Sequence, residues 1–221
     1  MPQYNNFKYI YPQLAKKRIS LSRLDNYDNG EYVIHPNYEG LPCVVFTNGF
    51  ELMVYDQRGK IFKNISNSID FRKLARSRNW YVYAGTYCSK PRMLDTAGGQ
   101  IFQADRFIIT DILVWDGEYL LGSTLVERMA LLNQAFSFHA TLIADCYMEC
   151  FKYLYCTEIT GIMRAKVYAG NFENLFHQIN LAGYNGIVLR KKESELLDSM
   201  RSRNNRQDNI ICPKRFNFFN F

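Results

Sequence analysis

Few of the residues able to do chemistry stand close together in this chain. Its 221 residues include three histidines and six cysteines. Cys146, Cys150 and Cys156 with His139 could be drawn as a zinc site. Their Cys-x3-Cys-x5-Cys spacing fits no ribbon or finger, and buried cysteine is common in cores, so no metal is expected. His177, between Phe176 and Ile179, suits half-buried packing, and His35 reads as a strand residue with its ring satisfied locally. No Ser/His/Asp arrangement is argued by the sequence. Basic side chains are the other resource. Lysine and arginine outnumber acids 27 to 21, a net charge of +6 that permits a nucleic-acid or phosphate partner without requiring one. Residues 1–24 carry Lys8, Lys16, Lys17, Arg18 and Arg23 and no acid, and residues 201–215 carry Arg201, Arg203, Arg206, Lys214 and Arg215 against Asp208 alone. Phe216, Phe218, Phe219 and Phe221 follow. Basic groups interleaved with aromatics can hold single-stranded nucleic acid by phosphate contact and base stacking, which makes Arg201, Arg203, Arg206 and Arg215 candidate contacts. Four phenylalanines in six residues also suit an apolar tail docked on the domain or on a protein neighbour, and that reading is favoured.

The elements that would position such residues are short strands and a few helices. With 48% hydrophobic, 22% charged and 15% aromatic residues, the chain is an ordinary globular domain, not a disordered, collagen-like or coiled-coil one. No window approaches 18 uninterrupted apolar residues, so no membrane-spanning helix is expected. The cysteines are too scattered for a disulfide scaffold, and no apolar signal region precedes Pro12. The acid-free start lacks the Ser and Arg richness of a transit peptide, so a reducing, intracellular home is expected. Tyr32-Val33-Ile34, Leu41 to Thr47 and Leu52 to Tyr55 read as strands, with Asn48-Gly49 as a hairpin turn. Lys60-Ile61-Phe62 opens another strand, residues 69–78 read as a short basic helix, and Trp80 to Tyr87 is again a strand. Phe107 to Trp115, Asp116-Gly117 and Glu118 to Leu121 form a second hairpin. Thr124 with Glu127 makes a capping box for a helix facing inward through Leu125, Met129, Leu132 and Phe136. Val167-Tyr168 ends a strand, Asn171 caps a helix that Gly183 stops, and Ile187-Val188-Leu189 is one more strand. The expected class is α+β, with antiparallel sheets and flanking helices.

Three stretches in register carry a family resemblance. Tyr32-Val-Ile-His-Pro-Asn37-Tyr38-Glu39-Gly40-Leu41-Pro42, with the turn Asp56-Gln57-Arg58-Gly59, resembles a Lys-x-Asp-Gly nucleophile motif and the Ser-Arg-x-Gly turn after it. Ile109-Thr110-Asp111 to Trp115-Asp-Gly, with Gly122 to Glu127-Arg128, is similar to a Phe-Asp hairpin and a helix opening with Glu-Arg. Gly183-Tyr184-Asn185-Gly186-Ile187-Val188-Leu189-Arg190-Lys191 resembles Glu-Gly-(Ile/Leu)-Val-(Lys/Arg). These are motifs of the covalent nucleotidyltransferases: ATP-dependent DNA ligases, RNA ligases and messenger-RNA capping enzymes. The resemblance implies that fold over residues 31–192, a basic segment at 1–30, and a basic and Phe-rich segment at 193–221 that follows or completes the domain.

In that family a lysine amine attacks the α-phosphate of ATP or GTP, carboxylates hold ribose and metal, and an aromatic ring stacks on the base. Position by position, this chain departs from the pattern. Asn37 occupies the nucleophile position, and an amide nitrogen is not a nucleophile; Glu39 keeps the acid two residues on. Pro42 stands for the motif's arginine, Thr86 for a carboxylate, Thr110 for the stacking ring and Asn185 for the metal-binding glutamate. Arg58 falls one place late in its turn, and Lys214 matches the last basic motif. What survives serves the backbone and what is lost serves the reaction. The nucleotide-pocket candidates are therefore Asn37, Glu39, Arg58, Thr86, Thr110, Asn185, Arg190 and Lys214, with no catalytic residue. The expectation is a catalytically degenerate domain acting as a structural or interaction subunit, with a protein partner and RNA or DNA in the same assembly and no cofactor. The small β-barrel domain that many ligases and capping enzymes close over the nucleotide is not expected within this sequence. Two alternatives stay open: an active ligase or guanylyltransferase using ATP or GTP with Mg through a relocated lysine or a partner subunit, and a nucleotide sensor that binds without transfer.

Overall fold

Two hairpins with glycine at their turns begin the larger sheet. In a computed structural model of the chain, residues 17–62, 65, 69–89, 105–136, 153–156, 161–197 and 209–213 are described. Strands β1 (Lys17–Arg18), β2 (Tyr32–Pro36), β3 (Leu41–Thr47) and β4 (Leu52–Asp56) come first in chain order. At the β3–β4 turn, Gly49 takes φ +86°, a left-handed conformation that costs glycine nothing. The Asn48 side-chain oxygen accepts from the amides of Phe50 at 3.0 Å and Glu51 at 2.8 Å, which fixes the turn. Strand β5 (Tyr81–Cys88) pairs antiparallel with β3, and β6 (Arg106–Trp115) pairs antiparallel with β5. Asp116-Gly117 returns the chain into the short β7 (Glu118–Tyr119), with Gly117 at φ +91°.

Helix α1 (Leu125–Ala135) starts from the expected capping box: Thr124 Oγ1 accepts from the Glu127 amide at 3.3 Å, and Glu127 Oε2 accepts from the Thr124 amide at 2.7 Å. Its buried side carries Leu125, Leu132 and Ala135, and also Arg128, which is fully buried. Strands β8 (Leu154–Cys156) and β9 (Ile162–Ala165) extend the sheet to the order β4-β3-β5-β6-β9-β8, with β7 on β6. The β6–β9 pairing is parallel within this otherwise antiparallel sheet. Helix α2 (Phe172–Leu181) leads into β10 (Ile187–Lys191), and β11 (Ile210–Cys212) follows. A smaller sheet runs β1-β11-β10-β2 among the described residues; β10 pairs antiparallel with both neighbours, and β1 pairs parallel with β11. The expected α+β class and antiparallel character hold.

Four local expectations shift. The basic segment at 69–78 forms one 3₁₀ turn, Phe71–Leu74, not a longer helix. Beyond it, the Ser77 and Asn79 side chains bond to Asp116, a competitor to helix that these residue types readily accept. Ile61 makes a single bridge to Tyr55, and Tyr168 a single bridge to Ile34, so neither begins nor ends a strand. Asn171 stands at the start of α2 but with φ 55° and no capping bond; Asp28 Oδ2, distant in sequence, accepts from the Phe172 amide at 3.0 Å instead. Asp28 follows a 3₁₀ turn, Leu21–Tyr27, whose Leu24 is fully buried in the core cluster of the smaller sheet and α2. Residues 17–27 of the basic N-terminal segment therefore pack with the strands that follow.

Candidate functional site

A cavity of about 180 Å³ lies between the two sheets, where β2, β10 and β11 face β3, β5 and β6. The alternation of each strand decides who lines it. From the smaller sheet come His35 and, just past the end of β2, Asn37, then Val188 and Arg190 on β10, and Asn209 and Ile211 at β11. The β10–β11 register sets Val188 against Ile211, so these strands present their facing residues together. From the larger sheet come Pro42, Ala84, Gly85, Thr86, Thr110 and Asp111. The β5–β6 register shifts between Ala84 and Gly85, an irregularity beside the cavity.

Asp111 organises the charge. Its carboxylate accepts from Arg128 Nε at 2.9 Å and Arg128 Nη2 at 3.2 Å, a bidentate pair, and from Arg190 Nη2 through its second oxygen. The Ile112 amide adds a bond at 2.8 Å. Arg128 also donates to the carbonyls of Ser123 and Ser194, and Arg190 to the Thr110 carbonyl at 2.6 Å. Burial by itself would raise the Asp111 carboxyl, but the two guanidinium groups outweigh it and hold the acid below its ordinary range. This explains Arg128 inside α1: the helix delivers one cation to a buried acid on β6, while β10 delivers the second.

His35 is nine-tenths buried, its Nδ1 is 2.7 Å from the Pro36 carbonyl, and its ring stacks on Tyr38 at 5.6 Å. Burial first, then the charge of Arg190, lowers it to about 4, so the ring is neutral at physiological pH. The Nδ1 bond fixes the proton there and leaves Nε2 as the acceptor. Tyr38 donates to the Tyr153 carbonyl at 3.1 Å, and burial raises its hydroxyl well above the ordinary value.

Of the residues singled out from sequence, Asn37, Thr86, Thr110 and Arg190 line the cavity together. Asn185 adjoins them: Asn37 Nδ2 donates to the Asn185 carbonyl at 3.2 Å, while the buried Asn185 Oδ1 has no hydrogen-bond partner among the described residues. Glu39 and Arg58 are exposed and do not line it. Lys214, and with it Arg201, Arg203, Arg206, Arg215 and the terminal phenylalanines, lie outside the described residues, as do His139, Cys146 and Cys150. Among the described residues, no group of His, Cys, Asp and Glu is placed to hold a metal ion. Sequence reasoning missed His35, Asn209 and Ile211 as cavity residues. His35 stands two positions before Asn37 and shares its face, a period-two signal that was available. Asn209 and Ile211 needed the β10–β11 register, which no local pattern supplies.

The fold agrees with that of a group of solved structures. Mycobacterial DNA ligase D complexed with ATP and MES superimposes with a TM-score of 0.62 at 14% identity, covering 94% of this chain and 62% of that one. Lig E DNA ligase matches with a TM-score of 0.52 at 13% identity over 93% of this chain and 69% of that one. Chlorella virus DNA ligase-adenylate matches with a TM-score of 0.52 at 13% identity over 93% and 67%. No protein-family model matches the sequence, and no curated protein does. The chain has the nucleotidyltransferase-domain fold of ATP-dependent DNA ligases, and it spans about three-fifths of the ligase D chain. No helix among the described residues is long and apolar enough to cross a membrane.

Proposed function

We propose that this chain is a catalytically inert, DNA-ligase-like nucleotidyltransferase domain that serves as a structural or interaction subunit, in an assembly containing RNA or DNA. The observation that carries the reading is at Asn37. Its backbone amide donates to the Gly186 carbonyl at 2.9 Å and its side-chain amide to the Asn185 carbonyl, so the nucleophile position is spent on joining β2 to the turn before β10. No lysine lines the described cavity, and its charged side chains, Asp111 and Arg190, are bonded to each other. Thr86 and Asn185 supply no carboxylate for a metal or a ribose. The cavity's size supports the same reading, since about 180 Å³ falls short of the ~300–1,000 Å³ usual for ligand pockets.

The test is incubation with radiolabelled ATP and GTP plus magnesium or manganese, followed by denaturing electrophoresis. The expected result is no label on the protein with either nucleotide. Nor should Asn37→Lys alone restore labelling, because groups that act as a unit are strongly non-additive. An acid-labile, alkali-resistant adduct on the unaltered chain would overturn the reading and make it an active ligase or guanylyltransferase. Tight, base-selective binding of ATP with no adduct would make it a nucleotide sensor.

A further inference from the structure

We propose that the tip of the β3–β4 hairpin and the arginine-rich turn beside it form a platform for single-stranded nucleic acid, on the outer surface away from the cavity. Phe50 is 71% exposed, a large apolar ring left in water on a molecule with a well-filled core. It is held there by design of the turn: Asn48 Oδ1 accepts from the Phe50 and Glu51 amides, and Thr47 Oγ1 accepts from the Gly49 amide at 3.1 Å. The hairpin tip lies against the basic turn, since a methyl group at Gly49 would meet the Ala75 side chain at 3.5 Å.

Four exposed cations crowd this turn: Arg72, Lys73, Arg76 and Arg78. Arg78 sits over the Phe50 ring at 6.0 Å, a cation beside an aromatic face. The turn is braced from behind. Asp116 accepts from Ser77, from Asn79 Nδ2 at 3.2 Å and from Tyr81 at 3.1 Å, and the Gly117 amide donates to the Trp80 carbonyl at 2.8 Å. Two carboxylates stand near the cations: Asp70, 3.1 Å from Arg72, and Asp116, covered by its three donors. Positive charge therefore remains in excess. Glu51, next to Phe50, is half-buried with its Oε2 shielded from solvent, and counted with the two aspartates it still leaves the four cations one charge in excess.

A rigidly held, protruding ring next to a row of cations matches the chemistry of an unpaired strand, whose bases can stack while its phosphates meet the arginines. A duplex keeps its bases stacked internally and offers the ring nothing. An acidic peptide could satisfy the cations but gives Phe50 no planar partner. The inference deepens the proposed place in a nucleic-acid-containing assembly. It does not depend on loss of nucleotidyl transfer, so the labelling assay and the one below can fail separately.

Fluorescence anisotropy with a labelled single-stranded oligonucleotide, titrated with the full chain at several salt concentrations, tests it. The unaltered chain should bind the single strand more tightly than the corresponding duplex. Phe50→Ala should weaken binding by about 5- to 150-fold, the loss of one stacked base, and Phe50→Tyr should restore it. Phe50→Leu, which keeps an apolar side chain, should remain weak. Replacing Arg72, Lys73 and Arg78 together by glutamine should reduce the slope of log affinity against log salt by about 2, at ~0.7 per lost phosphate contact on a single strand. Arg76 is left in place because it lies over the Phe136 ring at 4.9 Å. Failure of the unaltered chain to bind any oligonucleotide overturns the proposal. So does binding that is unchanged in Phe50→Ala and in the glutamine variant, or binding displaced equally well by polyglutamate.

Discussion

Replacing Asp111 by asparagine removes the negative charge between two buried guanidinium groups while keeping the side chain's shape. Arg128 is fully buried and Arg190 is 4% exposed, so neither can turn to water without moving α1 or β10. Breaking a buried ion pair by deleting one partner costs about 3–5 kcal/mol, because the remaining charge is left uncompensated. Here two cations lose the same partner, which places the expected loss toward the upper end. At a urea slope of about 2–3 kcal/mol per molar, the unfolding midpoint should fall by roughly 1–2.5 M. Trp80 and Trp115, on or beside the larger sheet, give the fluorescence signal. Arg190→Met provides the contrast. It leaves Asp111 and Arg128 as a neutral bidentate pair and replaces a buried charge by an apolar side chain of similar length, so its loss should be clearly smaller. The acid limb follows from the same geometry. With its folded value held below the ordinary 3.8, Asp111 contributes stability above that pH and loses it as pH falls through the folded value, so Asp111→Asn should flatten that limb. A midpoint shift under about 0.3 M for Asp111→Asn, or an equal loss in Arg190→Met, would refute the account of Asp111 as the common counter-ion.

Two further outcomes are expected. His35, ordinarily near 6.5 and lowered to about 4, makes the unfolded chain bind more protons between those values, so about 3 kcal/mol of stability should be lost as pH falls from 6.5 to 4; urea titrations at pH 7.5 and 4.5 would show it, and a His35→Asn variant retaining the full loss would assign it elsewhere. Gly85→Ala would put a methyl group 2.3 Å from the Ile108 carbonyl oxygen and 2.8 Å from the Phe107 ring, so overpacking of about 1–3 kcal/mol should lower the melting temperature by roughly 2–12 °C, whereas an unchanged melting temperature would mean that β5 and β6 part easily at that point.

Local chemistry was legible in the sequence wherever a few adjacent residues decide the outcome. Asn48-Gly49, Asp116-Gly117 and the Thr124–Glu127 box each settle a turn or a helix start from within, and each is found as expected. Asn171 shows where such reasoning stops. The residue type and position suggest a cap, but the capping oxygen comes from Asp28, which only tertiary packing brings there. The same holds at the candidate site. Asn37, Thr86, Thr110 and Arg190 were identified through motif positions, and the strands bring all four to one cavity. Asp111 and Arg128 were recognised as retained positions, but their direct pairing was not, because a helix residue and a strand residue share no sequence period. The basic run at 69–78 was legible as charge, yet its presentation beside Phe50 depends on the packing of the hairpin tip against Ala75.

The smaller sheet has a consequence for how the molecule is made. Its β1 strand takes its hydrogen bonds from β11, so Lys17 waits for Ile210 through nearly all the synthesis of the described chain. At about 5–20 residues per second, a nascent chain would spend on the order of ten seconds or more with β1 unpaired. The larger sheet can assemble earlier, since β3 to β6 are sequence neighbours joined antiparallel. The wall of the cavity that carries Val188, Arg190, Asn209 and Ile211 arrives last, and until then Asp111 has only Arg128 for company. In order of synthesis, the charge-neutral pair of Asp111 and Arg128 thus precedes the three-membered cluster, and β10 brings the surplus cation before β11 closes the smaller sheet.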